Sequence, residues 1–267
     1  RHAFRLDVTE PAAPKAKETV ALYDPKGLTA KRLDKLGVRY RKVGVDADFG
    51  KFKTLVIGRE ALAADSKLPN LDAVRGGLNV LIFEQPTRTL ERLGFRVNEH
   101  GLRTLFPRVS GHPALAGLPP ELLADWRGEA TLLPPYLDYD QFFCPEWQWC
   151  GFKNTRVWRC RNRGTLANVL PEKPPVGDFT PLLDGGFALQ YAPLLEYREE
   201  KGRILFCQVE VTGRSESDPA AERLTVNLLD YIRTAPPVSG KRFFVLAGAE
   251  FKAMLGSLRL SGEMADS

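Results

Sequence analysis

Leu78-Asn-Val-Leu-Ile-Phe83, followed at once by Glu84-Gln85-Pro86, is the stretch on which the reading of this chain turns. A continuous apolar run bounded by polar turn residues fits a strand buried on both faces, as strands of parallel sheets are. Thr87 to Leu93 then reads as a helix, with Thr87 as N-cap and Gly94 as its stop. Upstream, Thr54-Leu-Val-Ile57 is a second such run and ends at Gly58-Arg59-Glu60; Leu71 to Val74 after it suits a short helix closed by Gly76-Gly77. Further back, Val20 to Tyr23 runs into the turn Asp24-Pro25-Lys26-Gly27. Leu28 to Leu36 has helical spacing up to Gly37, and Val38 to Val43 alternates like a strand. Strands alternating with helices are the mark of a parallel sheet. The expectation is an α/β fold: a doubly wound, mostly parallel sheet sandwiched by helices.

Downstream the texture changes. Residues 107–181 are rich in Pro, Gly and Trp, with one short helical piece at Leu118 to Asp125, and read as a long irregular insertion. Phe187 to Tyr197 and Gly202 to Val211 form two apolar strands separated by charged residues, an antiparallel pair. Asp218-Pro219 places an N-cap before a proline at the first helical position, opening a helix to about Tyr231 with Leu224, Leu228 and Leu229 inward. Arg242 to Leu246 then reads as a strand and Ala249 to Leu258 as a helix. The organisation expected is a linker or edge segment over 1–18, an α/β domain over 19–235, and over 236–267 a further strand-helix unit that begins a truncated second copy.

Of 267 residues, 38 are Lys or Arg and 33 Asp or Glu, and 43% are hydrophobic, a globular composition. The net charge of +5 is scattered, and its densest cluster is only Arg39-Tyr40-Arg41-Lys42, so the chain lacks the basic stripe of a nucleic-acid binder. Its longest apolar stretch, Phe243 to Ala249, falls far short of the ~20 residues of a membrane-spanning helix. The chain opens on Arg1 with no charged-then-apolar leader, as expected of a mature or excised piece. Cys144, Cys150 and Cys160 match no zinc spacing; His112 could complete a four-ligand set, but ordinary thiols or one disulfide is the preferred reading. Cys207 lies mid-strand and reads as a small buried hydrophobe. No metal and no cofactor is expected.

Strand ends in a parallel sheet gather at one rim, where ligands bind. Arg59, Glu60, Glu84, Gln85, Arg214, Glu216 and Asp218 follow apolar strands and belong on that rim. They make either a polar pocket or a network of ion pairs. Glu84 with Glu210 or Glu216 offers a carboxylate pair for glycoside hydrolysis, or Glu84 caps the next helix or pairs with Arg59 or Arg214. Trp126, Trp147 and Trp149 suit sugar stacking, an interface, or pinning a loop to the core.

Three stretches carry a family resemblance. They are His112-Pro113-Ala-Leu-Ala-Gly117-Leu118; Asn162-Arg-Gly164 through Glu172-Lys173-Pro174 to Phe187–Tyr197; and Lys201-Gly202-Arg203-Ile-Leu-Phe-Cys207 with Val211-Thr212-Gly213-Arg214. In order, they resemble the class I glutamine-amidotransferase-like domains, most closely the trimerisation-type domain of bacterial β-galactosidases. The resemblance implies a Rossmann-like, flavodoxin-like architecture. Active members place a Cys nucleophile on the elbow after a strand, activated by a His that a Glu orients. Here Glu84 and Gln85 follow that strand, and Gln208-Val-Glu210 stands where His-x-Glu is expected. The resemblance therefore implies a non-catalytic structural or oligomerisation domain of a larger bacterial carbohydrate-active protein. A glycoside hydrolase or sugar-binding module is the alternative. The partners it implies are neighbouring domains of the same polypeptide, a second copy, and carbohydrate. A periplasmic or secreted setting fits this better than a cytoplasmic one.

Overall fold

The computed structural model describes residues 12–133, 162–214 and 218–238, with Met254 and the backbone of 147–149, 152–154, 244–246 and 263–265. The opening follows the sequence pattern. β1 (Val20–Tyr23), α1 (Leu28–Lys35), β2 (Tyr40–Lys42), β3 (Thr54–Ile57), β4 (Asn79–Ile82) and α2 (Thr87–Arg92) come in that order. β3 and β4 are buried at every position, which is why they read as unbroken apolar runs rather than alternating ones.

The expected doubly wound sandwich, with its Rossmann-like and flavodoxin-like labels, is not what forms. The remaining strands are β5 (Val97–Leu102), β6 (Phe106–Pro107), β7 (Trp126–Glu129), β8 (Trp147–Trp149), β9 (Phe152–Asn154), β10 (Arg163–Gly164), β11 (Ala167–Pro171), β12 (Phe179–Gly185), β13 (Tyr191–Glu199) and β14 (Gly202–Cys207). They are followed by α3 (Pro219–Thr234), β15 (Phe244–Leu246) and β16 (Glu263–Ala265). The main sheet has eight strands in the order β2-β1-β3-β4-β14-β13-β12-β6. It is mixed: β2, β1, β3, β4 and β14 run parallel, while β13, β12 and β6 continue antiparallel. Three α-helices occur among the described residues. None of them is long and apolar enough to cross a membrane.

The reason lies in what packs on each face. Ala30 and Leu33 of α1 and Leu224, Leu228 and Leu229 of α3 share one core with Val20, Leu22, Val56, Leu81 and Leu205. The opposite core of Ala21, Leu55, Ile57, Val80 and Ile204 is closed by Phe49, Val74, Leu62 and other residues of tight turns and irregular chain. The expected helix at Leu71 to Val74 is a single 3-10 turn over Asp72–Val74, and that at Leu118 to Asp125 shrinks to Pro120–Leu122. α1 and α3 therefore cover one face, while the other has only short turns and the six-residue α2, bonded to the chain at Leu62 and Ser66.

The insertion is not irregular throughout. β5 pairs with β11, β7 with β10, and β6 with β12, each antiparallel. Register shifts interrupt β11 between Ala167 and Val169 and β12 around Leu183, so Pro181 sits in a strand whose ladder is already broken. Such strands show no period of two. The edges of the main sheet are β2, which carries exposed Arg41 and Lys42, and the two-residue β6 with its proline. At the far end, β15 pairs with β16 in parallel, and the expected helix over Ala249 to Leu258 lies outside the described residues except for helical Met254.

Candidate functional site

The carboxyl ends of β1, β3, β4 and β14 converge on a network of buried polar side chains. Glu84 follows β4 through Phe83 and is fully buried. Its Oε1 accepts from the Thr212 amide at 2.8 Å, and the Thr212 hydroxyl donates to Oε2. It therefore caps no helix. Burial pushes its carboxyl above the usual range; Arg59 and Thr212 oppose the shift and Glu210 reinforces it. Gln85, equally buried, donates to the Gly58 and Phe83 carbonyls at 2.8 and 2.6 Å and accepts from Leu62 N at 3.0 Å. Its backbone N–H donates to Gln208 Oε1 at 2.8 Å, and Gln208 Nε2 returns a bond to the Gln85 carbonyl at 2.9 Å.

Arg59 is the hub. Its Nε donates to Glu60 Oε1 at 3.2 Å, Nη1 to Glu210 Oε2 at 3.3 Å and Nη2 to Thr131 Oγ1 at 3.1 Å. Burial alone would loosen its proton, but Glu84, Glu210 and Glu60 together hold it more tightly than usual. Glu210 Oε2 also accepts the Thr131 and Leu132 amides at 2.7 and 3.0 Å, while its buried Oε1 has no partner among the described residues. Arg214 donates to the carbonyls of Glu210, Arg127 and Thr165 and lies 5.3 Å over the Trp126 ring. Asp218 caps α3 through Ala220 N and Ala221 N at 2.9 and 3.2 Å and accepts Arg127 N at 2.8 Å.

Space here is tight. A Cβ at Gly213 would fall 1.6 Å from Arg59 Nη1, so only glycine lets the loop after β14 close over the guanidinium. The crevice between β1 and β3, where the strand order reverses, is filled from within. Asp24 Oδ2 accepts Ala30 N of α1 at 2.7 Å, and Lys26 Nζ meets Glu60 Oε2 at 2.7 Å across it.

Arg59, Glu60, Glu84, Gln85, Arg214 and Asp218 thus meet as the strand-end rule expects, and Glu216 lies outside the described residues. Sequence reasoning missed Thr131, Thr212, Gln208 and Asp24. Thr212 and Gln208 stood in a quoted motif, but which side chains turn inward after a strand has no sequence signal. Trp126 is buried, with Nε1 donating to the Leu122 carbonyl at 2.7 Å, so its ring pins the chain to the core. The side chains of Trp147 and Trp149, and Cys144, Cys150 and Cys160, lie outside the described residues. Cys207 is buried, and burial holds its thiol well above the ordinary value. Among the described residues, no group of His, Cys, Asp and Glu is arranged to hold a metal.

A second buried cluster lies at the opposite end of α3. Fully buried Glu196 of β13 accepts from Tyr231 and from Arg198, with Arg203 Nη1 at 3.6 Å and His112 Nε2 at 4.0 Å. His112 Nδ1 accepts Ala114 N at 3.2 Å, and its ring meets Tyr231 edge-on at 4.6 Å. The His-Pro motif is thus a turn docked on α3. Burial and the bond to Glu196 push the Tyr231 hydroxyl up to about 12, and burial holds the His112 imidazole below its usual value.

On the face opposite α1 and α3, an apolar cavity of about 220 Å³ is lined by Ile57, Leu68, Phe95, Phe179, Tyr197 and Phe206 among others. It shares Leu93, Phe95 and Phe179 with a groove of about 600 Å³ that runs along Arg96, Glu172 and Lys173.

No protein-family model matches this chain, and no curated protein matches it either. Among solved structures, a cytoplasmic protein of Salmonella typhimurium is similar at 10% identity and a TM-score of 0.44, over 83% of this chain and 99% of its own. Alpha-L-fucosidase isoenzyme 2 from Paenibacillus thiaminolyticus is similar at 12% identity and a TM-score of 0.40, over 84% of this chain and 33% of that one. Likenesses this distant say nothing about activity.

Proposed function

We propose that this chain is a non-catalytic structural domain of a larger bacterial carbohydrate-active protein, related to the amidotransferase-like domains and serving to hold neighbouring domains or copies together. One observation carries the reading: Glu84, Gln85 and Glu210, the strand-end groups best placed for chemistry, are each 0% exposed and bonded to the chain itself. A nucleophile or general acid has to reach its substrate within about 3 Å, and these side chains face Thr212, Gly58 and Thr131 instead. The carbohydrate setting rests on the sequence resemblance alone.

The hydrolase alternative asks Glu84 and Glu210 to flank a sugar, which needs both acids at an open cleft; their burial counts against it. The test is to assay the purified chain against glutamine and against a panel of nitrophenyl glycosides. No turnover above a Glu84→Gln and Glu210→Gln background is expected. Turnover that vanishes in Glu84→Gln while the fold survives would overturn the reading.

A further inference from the structure

His112 precedes the 3-10 turn Pro113–Leu115 and commits both ring nitrogens inside the protein. Nδ1 accepts the Ala114 amide at 3.2 Å and so caps the turn. That bond places the proton of the neutral ring on Nε2, which faces Glu196 Oε2 at 4.0 Å. A neutral imidazole is one donor and one acceptor, whereas the imidazolium is two donors. A second proton can go only to Nδ1, where it would point at the Ala114 N–H. The cap and the charged ring therefore exclude one another.

The surroundings do not compensate. Among the described residues, the titratable and charged groups facing the ring are Glu196 and Arg198 of β13, Arg203 of β14 and Tyr231 of α3. Glu196 Oε1 is taken by Arg198 Nε and Oε2 by the Tyr231 hydroxyl, with Arg203 Nη1 at 3.6 Å. Two guanidinium groups already share that carboxylate, so a third cation adds repulsion. Burial, Arg198 and Arg203 oppose protonation, and Glu196 favours it.

The capped turn is what docks this segment on α3. Leu115 N donates to the His112 carbonyl at 2.8 Å, Ala116 N to that of Pro113 at 3.2 Å and Leu118 N to that of Leu115 at 3.1 Å. Ala114, Leu115 and Leu118 are buried in the core they share with α3. Arg223, Asn227 and Tyr231, spaced four apart, form the stripe of α3 along which the segment lies. Asn227 Nδ2 donates to the Ala116 carbonyl at 2.8 Å, a Cβ at Gly117 would fall 3.3 Å from Arg223 Cδ, and the His112 ring meets Tyr231 edge-on.

We propose that His112 is an acid-released latch: a proton from solvent on Nδ1 breaks the cap, frees residues 112–118 from α3, and bares Leu115, Leu118 and the Arg223–Asn227–Tyr231 stripe while the main sheet stays folded. The segment can open by itself because its neighbour in sequence, β6, is only two residues long and lies at the sheet edge. The bared ring takes its proton near pH 6.5 and the docked ring only below that. Closure is therefore complete above this pH and fails as pH falls beneath it. The latch goes beyond the structural reading above and does not depend on it.

Amide hydrogen exchange on the whole chain, resolved by NMR, tests it. Between about pH 7.5 and about pH 5, protection factors at Ala114, Leu115, Ala116 and Leu118 should fall roughly tenfold, with about thirtyfold the ceiling for a ring of ordinary affinity once bared. Amides of β3 and β4 should keep their protection. His112→Asn retains an acceptor of the kind favoured at a cap and does not titrate, so its turn should stay protected across the range. His112→Ala should lower the turn's protection alike at both pH values. In the wild type at neutral pH, the ring nitrogens should show a proton on Nε2 and none on Nδ1, a measurement that needs no variant to fold. Protection indifferent to pH, the same acid loss in His112→Asn, a loss shared by β3 and β4, or a neutral ring protonated on Nδ1 would each overturn the inference.

Discussion

The two ends of α3 are both pinned by buried charge, yet the balance is opposite at each. At its start, Glu60, Glu84, Glu210 and Asp218 crowd around Arg59 and Arg214. At its other end, a lone carboxylate, Glu196, faces Arg198, Arg203 and His112. Burial is the first cause of the shift at both ends: it drives the Glu84 carboxyl toward its neutral form against Arg59 and with help from Glu210, and the His112 imidazole toward its neutral form against Glu196 and with help from Arg198 and Arg203. A rim position in a parallel sheet is therefore no proof of a ligand site. Here it serves the same purpose as the cluster at the opposite end, fastening a helix to the sheet.

The largest effect is expected at Gly202, the first residue of β14. A Cβ there would meet the Val74 and Leu78 carbonyls at 2.3 and 2.4 Å, and both are backbone atoms that cannot swing aside. Gly202→Ala should cost more than ~4 kcal/mol and lower the melting temperature by over ~8 °C, or abolish soluble expression; a Tm within two degrees of wild type would show that the turn can yield. Next come Glu210→Ala and Glu196→Ala, one at each end. Each takes a fully buried carboxylate from a buried guanidinium, Arg59 in one case and Arg203 in the other, and urea unfolding should register a loss of ~3–5 kcal/mol in both. Gly213→Ala should fall close behind, because it forces Arg59 off Glu210. If it is milder than Glu210→Ala by less than a factor of two, the Arg59 contact dominates the acid-rich end.

Glu84→Gln sharpens the contrast. An amide keeps one acceptor for Thr212 N but loses the acceptor that faces the Thr212 hydroxyl and the charge beside Arg59, so urea unfolding should register a loss of ~1–3 kcal/mol. The smallest effect expected is in the pH profile. The His112 imidazole is held below its ordinary value, so the native state disfavours the proton that the unfolded chain takes up near pH 6.5. Its contribution is complete above that pH and is lost as pH falls from there through the native value. Glu84, shifted upward, works the other way: its contribution is lost as pH rises through its native value and is complete below the unfolded carboxyl's ~4.5. Thermal melts across this range should show His112→Asn flattening the acid-side decline and Glu84→Gln steepening it. Parallel curves for both would refute the opposed balance.

Particular residues show how much of this was legible. Buried strands such as Thr54–Ile57 and the Asp218-Pro219 helix start were readable because each carries a complete local signal. Strand ends also point Arg59, Glu84 and Arg214 to one region, since parallel strands share one rim. The layering was not readable. β11 and β12 are bulged, and the turn at Asp72–Val74 is too short to cover a face, so the second helical layer inferred from alternation was absent. Orientation was likewise hidden: nothing in the order Glu84-Gln85 says that both side chains turn inward, because Thr212, which receives Glu84, and Gly58 and Leu62, which receive Gln85, lie on other segments of the chain.

The rims of the main sheet have a consequence of their own. One margin ends on a short strand bearing Arg41 and Lys42, and the other on two residues of which one is Pro107. Neither offers a long row of idle amides onto which a foreign strand could zip. Fibrous growth by adding ribbons is therefore disfavoured at both borders. At those two borders a meeting of molecules falls to side chains fitting side chains, which is reversible and selective where a backbone seam is neither.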